Sequence, residues 1–259
     1  LPVTLIAFAI ALHNLVWGFA QPFAGAAADR FGAGPVVAAG GLLYALGLGL
    51  PAVWPSGLML VLGMGVLVGV GISCTSFGVV MTAIGRAAPA EKRSMALGLA
   101  SAGGSLGQVL LVPLAQSLNE LSSLSLSLVV LAGVMVAVAP LGFFLGRNPA
   151  SGPSPLREPP ALPLKAALRQ ACGHRGFRLL TLGFFTCGFQ LAFIATHLPA
   201  YLSLCHMPAG LGATALAVIG FTNMLGSWAC GWLGGRFRQQ HLLAWLYLVR
   251  GLAIAAFFL

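Results

Sequence analysis

Apolar residues in this chain gather into long continuous runs, separated by short segments that hold Gly, Pro and the few charged side chains. Eight runs are read this way, at residues 2–24, 35–53, 57–84, 94–116, 125–146, 178–204, 209–233 and 241–259. A helix of about 20 apolar residues crosses a hydrocarbon core of ~30 Å, and every run is close to or beyond that length. None shows the alternation over about ten residues that barrel strands need. The pattern predicts an all-α integral membrane chain with eight transmembrane helices.

The connections then alternate between two sides. One set comprises 25–34, 85–93, 147–177 and 234–240; the other comprises 54–56, 117–124 and 205–208. Of the 13 Lys and Arg residues, 12 fall in the first set, counting Arg178 at the lip of its run, and the second set carries none. Loops on the cytoplasmic side hold the excess of Lys and Arg, so the first set is placed in the cytoplasm. The chain therefore starts on the outer side. If the parent protein has a cytoplasmic amino terminus, an odd number of helices, most simply one, is expected ahead of Leu1, and the run ending at Leu259 is expected to continue.

Composition agrees. Charged residues make up 7% of the chain and hydrophobic residues 59%, with a mean hydropathy of +0.97, whereas a soluble domain carries roughly a quarter charged residues. The net charge of +9 would suggest nucleic acid in a soluble protein; here the sorted loops explain it, and no nucleic acid partner is expected. Five Cys, an odd number, do not pair into a framework. Cys74, Cys187 and Cys230 lie inside apolar runs, where Cys serves as a small packing residue.

The connection 147–177 divides the chain. Pro149, Pro153, Pro155, Pro159, Pro160 and Pro163 make its first part an extended linker. It then becomes "LKAALRQACG", in which Leu164, Leu168 and Ala171 can face lipid while Lys165 and Arg169 face water. A short helix on the inner membrane surface and a solvated connector both fit. The expected organisation is an amino-terminal bundle at 1–146, a linker at 147–177 and a second bundle at 178–259.

A short internal repeat strengthens this division. "GAAADRF" at residues 25–31 aligns with "GWLGGRF" at 231–237, matching Gly, Arg and Phe in place. Both copies lie at the cytoplasmic end of a run, on opposite sides of the Pro-rich linker and six runs apart. Secondary transporters are commonly built from two such parallel six-helix halves. Gly25, Asp29, Arg30 and Gly32 resemble the signature G-x-x-x-D-R-x-G-R-[KR] between the second and third helices of the major facilitator superfamily, and Gly231 and Arg236 fit its weaker copy between the eighth and ninth. Ala33 and Gly34 replace the usual basic pair, and Gly235 stands where the first copy has Asp29. The resemblance implies a two-bundle (6+6) fold, incomplete at both ends, running from the second helix into the ninth. The fourth run, "GLASAGGSLGQVLLVPLAQ", resembles the fifth helix of the monocarboxylate and oxalate–formate antiporter-like branch.

What the resemblance implies for the signature is a conformational latch, formed where cytoplasmic helix ends meet as two bundles rock. Asp29 is expected at a neighbouring helix amino terminus, where the dipole favours an anion, and Arg30 is expected to reach Glu91 or a loop carbonyl. Gly65 and Gly69, like Gly103 and Gly107, have the small-xxx-small spacing that lets helices approach closely.

Polar residues at membrane depth are costly and are candidates for function. They are His13 and Asn14 in the first run, Ser73, Thr75 and Ser76 in the third, Gln108 in the fourth, Gln190 in the sixth, Asn223 in the seventh and Arg250 in the last. His197 lies nearer the outer face. Each has a plainer role: hydroxyls bond their own backbone, amides join helices, and imidazoles pack neutral. The third run maps to a cavity-lining helix of the family, whereas the ninth family helix, which would carry Arg250, lies outside the cavity as scaffold. A guanidinium at mid-membrane nevertheless matches a carboxylate, and no Asp or Glu lies inside any run.

These residues point to a secondary active transporter of a small solute, an organic anion such as a monocarboxylate, in the cell inner (plasma) membrane, with a proton as candidate coupling ion. Drug efflux of lipophilic cations by the same fold, or a membrane sensor without flux, are the alternatives. An enzyme would need a catalytic set at an interface; the outer side offers His206 and Glu120 without partners at a useful spacing, and the inner loops offer no phosphate cradle and no Cys–His cluster. No cofactor or metal is expected.

Overall fold

A computed structural model describes residues 3–121, 123–146, 164–206 and 209–258. The Pro-rich part of the linker, at 147–163, lies outside them. Among the described residues the regular structure is helical, in the order α1 (Val3–Phe31), α2 (Ala33–Val53), α3 (Gly57–Leu60), a π segment (Val61–Leu67), α4 (Val68–Cys74) and α5 (Phe77–Ala87). A 3₁₀ turn (Ala90–Lys92) leads into α6 (Arg93–Leu121); α7 (Leu124–Val138) runs on into a 3₁₀ segment (Ala139–Gly146). Beyond the linker come α8 (Leu164–Gly173), α9 (Arg175–Leu204), α10 (Ala209–Gly234) and α11 (Gln239–Phe258).

Seven of these stretches are long and apolar enough to cross a membrane: Thr4–Phe31, Ala33–Val53, Gly57–Ala87, Ala90–Glu120, Leu124–Phe144, Arg175–Ile194 and Thr214–Gly234. The eighth expected span is the helix α11, 20 residues long, opened by Gln239, Gln240 and His241 and carrying Arg250.

Two segments differ from expectation. Residues 25–31 do not form a loop, because an Ala-rich stretch favours helix and α1 continues through them to Phe31. The turn into α2 is the single residue Gly32, at φ +90°, whose N–H donates to the Ala28 carbonyl at 2.9 Å. That is a glycine helix stop, which a residue with a Cβ adopts only with strain. The third run is also not one continuous α-helix. It widens into the π segment and breaks at Thr75 and Ser76, where the Thr75 hydroxyl bonds the Gly71 carbonyl at 3.1 Å and competes with the ladder.

Helix α2 is the centre of the first half. It packs on α4, the π segment, α7 and the 3₁₀ segment that follows it. Glycines make that approach possible: a Cβ on Gly47 would stand 2.7 Å from the Gly63 carbonyl oxygen, and one on Gly34 would stand 2.8 Å from that of Gly142. Gly65 and Gly69 also lie in close contact, against Leu12 and Val16 of α1. Gly103 and Gly107 do not, since nothing lies within 4 Å of either Cβ position; they are on a face of α6 turned away from its neighbours. The helices α6 and α10, from opposite sides of the linker, form the other extensive crossing.

Candidate functional site: a cavity beside the α6–α10 crossing

The crossing is antiparallel and keeps one register. Going along α6, the Ser94 hydroxyl donates to the Gly231 carbonyl at 2.9 Å. A Cβ on Gly98 would meet Gly231 Cα at 2.5 Å. Ser101 Oγ donates to Ser227 Oγ at 3.1 Å, Asn223 Nδ2 donates to Ser105 Oγ at 2.9 Å, and Gln108 Cβ lies 3.2 Å from a Cβ on Gly220. From Gly98 onward, each step of three or four along α6 is matched by a like step back along α10. Small residues let the backbones touch, and hydroxyls and an amide satisfy one another where hydrocarbon offers no partner.

A cavity of about 1080 Å³ opens beside this crossing, between α6, α10 and α11, with Cys187 of α9 in its wall. Glu91, Arg93 and Gln239 stand at one end. Further along are Ser101, Asn223, Ser227 and Arg250, set among Leu242, Leu246 and Ala253. Arg250 is eleven residues along α11 from Gln239, or ~17 Å at the rise of a helix, so the cavity reaches mid-membrane depth. The Arg250 guanidinium is half-buried and donates to Cys187 Sγ at 3.3 Å. A thiol is a weak, neutral acceptor. Among the described residues no carboxylate pairs with Arg250, so its charge faces a space in which an anion can meet it.

The other candidates fall elsewhere. Ser73 is fully buried, and its hydroxyl bonds the Trp17 carbonyl at 2.9 Å and the Gly69 carbonyl at 3.0 Å. It ties α4 to α1 and is not part of the wall of the cavity beside the α6–α10 crossing. Thr75 bonds within its own helix, Ser76 is buried at the break, and Asn14 bonds the Ile10 carbonyl one turn back at 2.9 Å. His13 Nδ1 lies 3.3 Å from the Met64 carbonyl, within the π segment, with its ring tilted against Trp17. Gln108 belongs to the α6–α10 seam. Gln190, half-buried on α9, does not line the cavity. His197 stacks on Phe193, 4.5 Å between centroids, and bonds that residue's carbonyl. Ser94, Ser101, Ser105, Ser227 and Cys187 are absent from the sequence-based candidates. Their signal is the spacing Ser94, Gly98, Ser101, Ser105, which marks one face of α6.

The two signature copies are built differently. Asp29 pairs with Arg86 at the end of α5, 3.1 Å apart, with both side chains about half exposed. This corrects the expected contact with a helix amino terminus: Arg86, in the last turn of α5, reaches it. Arg30 does not engage Glu91; its guanidinium lies 5.3 Å from the Phe31 ring centroid. Gly25 has nothing within 4 Å of a Cβ position, whereas Gly231 is pressed against Gly98 and Ser94. Arg236 stacks on Trp232 at 4.0 Å, a cation–π contact in place of an ion pair. Among the described residues no group of three His, Cys, Asp or Glu stands close enough to hold a metal ion.

Comparison with known proteins bears on this arrangement. The family model described as Major Facilitator Superfamily matches residues 1–259. Among curated proteins, Monocarboxylate transporter 11 of Mus musculus is 32% identical over 231 residues, covering 88% of this chain and 50% of that protein. Monocarboxylate transporter 11 of Homo sapiens is 29% identical, covering 94% and 50%; Monocarboxylate transporter 3 of Rattus norvegicus is 29% identical, covering 90% and 48%. The chain thus spans about half the length of the curated relatives it matches.

Proposed function

The chain belongs to the major facilitator superfamily, and from that premise we propose that it forms part of a secondary active transporter for a small organic anion, a monocarboxylate being the simplest candidate. The observation that carries the anion reading is Arg250, a guanidinium without a carboxylate partner among the described residues, in the wall of a cavity of about 1080 Å³. Its planar fork suits a carboxylate, and Asn223, Ser101 and Ser227 in the same wall can accept or donate to a substrate's remaining oxygens. The names of the relatives add support. The site is placed in a multi-pass protein of the plasma or inner membrane.

Transport proceeds by alternating access. The bundles are taken as 1–146 and 178–259, joined by the linker at 147–177, and α6 and α10 form the contact along which they part. Asp29 and Arg86 latch one state at the cytoplasmic surface. His13 is the candidate carrier of a coupling proton, an imidazole inside the first spanning helix. The mostly apolar wall around Leu242, Leu246 and Ala253 gives a second reading, efflux of lipophilic cations.

Uptake of a panel of carboxylates and lipophilic cations by the full-length protein in vesicles, with and without a proton gradient, separates these readings. Carboxylate uptake that falls in Arg250→Gln supports the proposal. Cation uptake that persists in the same variant, with no carboxylate uptake in the parent, would overturn it.

A further inference from the structure

We propose that α8 and the first turn of α9 form a docking surface for the anionic lipid leaflet on the cytoplasmic side. Lys165 and Arg169 stand one turn apart on α8, and Arg175 and Arg178 follow in the first turn of α9. All four are exposed. No Asp or Glu occurs from residue 164 to residue 206, and among the described residues none of the four forms an ion pair. On the helical wheel Ala167, Leu168 and Ala171 share one side of α8, and Lys165 and Arg169 lie toward the other. On that apolar side Leu168 is 44% exposed and Ala167 and Ala171 are partly covered, and α8 also packs against α9.

The joint between the two helices fixes where this surface sits. His174 is the residue between α8 and α9: its N–H donates to the Ala171 carbonyl at 3.0 Å, and its own carbonyl receives the Arg178 N–H at 3.2 Å. Its Nδ1 also accepts the Phe177 N–H at 3.4 Å. One residue thus closes α8 and caps α9, so α8 is held directly at the cytoplasmic lip of a spanning helix. Four cations at headgroup level next to a membrane-crossing helix match the pattern that binds phosphatidylserine or phosphoinositide headgroups, and the exposed Leu168 can enter the acyl boundary. Lipid is therefore the occupant that charge and position both favour. This surface is separate from the cavity, so its failure leaves the transport reading untouched.

The test is amide hydrogen exchange of residues 164–173 in the full-length protein, held in nanodiscs of phosphatidylcholine alone or with about one-third phosphatidylserine. Exchange is expected to slow about tenfold in the anionic discs, since each surface cation contributes about fivefold in partition. High salt and the variant Lys165→Gln/Arg169→Gln should abolish the slowing, and Lys165→Arg/Arg169→Lys should keep it. Exchange in α2 serves as the folding control in every disc. Equal rates in the two discs, slowing that survives salt or the Gln variant, or full protection in neutral discs, as would follow if the chain itself covered α8, would each overturn the proposal.

Discussion

Two helix crossings in this molecule use glycine, and they use it differently. Around α2 the contact is backbone on backbone: a Cβ on Gly63 would lie 2.5 Å from the Gly47 oxygen, and one on Gly71 would lie 2.8 Å from that of Gly40. No side-chain hydrogen bond crosses this seam among the described residues. At the α6–α10 crossing, Gly98 meets Gly231 just as closely, but Ser94, Ser101, Ser105, Ser227 and Asn223 hydrogen-bond across it. A dry backbone contact loses its dispersion attraction outright when parted. Hydroxyls and an amide can exchange one another for water when a cavity opens beside them. The first crossing suits the inside of a rigid bundle, and the second suits a surface that separates and closes again.

The largest expected effect is Gly47→Val. The new side chain meets Gly63 and Val68 backbone atoms with nowhere to move, a destabilisation of ~3 kcal/mol or more, visible as loss of folded protein in a thermal melt in detergent. Gly98→Val should be different in kind. It pushes α6 from α10 while sparing the α2 seam, so transport should fall about tenfold or more with a smaller loss of melting temperature, an overpacking cost of ~1–3 kcal/mol. Equal melts for the two variants would remove the distinction between the crossings.

Arg250→Gln tests the cavity beside the second crossing. A charge-assisted bond is worth ~1.5–3 kcal/mol, or roughly 10- to 100-fold, so carboxylate uptake should fall by that factor with insertion unchanged. Unaltered anion binding with lost transport would assign Arg250 to bracing α11 against Cys187. Asn223→Ala and Ser101→Ala each remove one interhelical bond, about 0.6 kcal/mol apiece, and should change transport rates about two- to threefold. Asp29→Asn is expected to act least. The pair with Arg86 is half exposed, and such pairs contribute about 0–1 kcal/mol, so insertion should be normal and transport impaired a few-fold at most. Parent and variant moving substrate equally fast in vesicles would remove the latch.

How legible all this was varies by residue. The runs are plain in the sequence because hydrocarbon demands long apolar helices with internal hydrogen bonding, and a charge asymmetry of 12 against none orders their ends. Gly65 and Gly69 could be read as contact glycines from spacing alone. Gly103 and Gly107 have the same spacing and touch nothing, because spacing places residues on one face without saying what that face meets. Ser73 could be read from the sequence as a hydroxyl that bonds backbone, but its second acceptor, the Trp17 carbonyl of α1, is 56 positions away. Asp29 stood out in its motif, but its partner Arg86 is 57 positions away, and no local pattern announces a contact of that range.

By itself, then, the sequence determined that this is a multi-pass helical chain, which of its ends face the same side, and the family to which its signature belongs. Each follows from local composition acting on a solvent that penalises every unpaired polar group. Only the tertiary structure decided which polar residues face one another, that α6 pairs with α10 in a single antiparallel register, and that Arg250 borders a cavity rather than lipid. Those depend on how far and at what rotation two distant helices meet, which is settled by side-chain fit between them and not by the periodicity of either one.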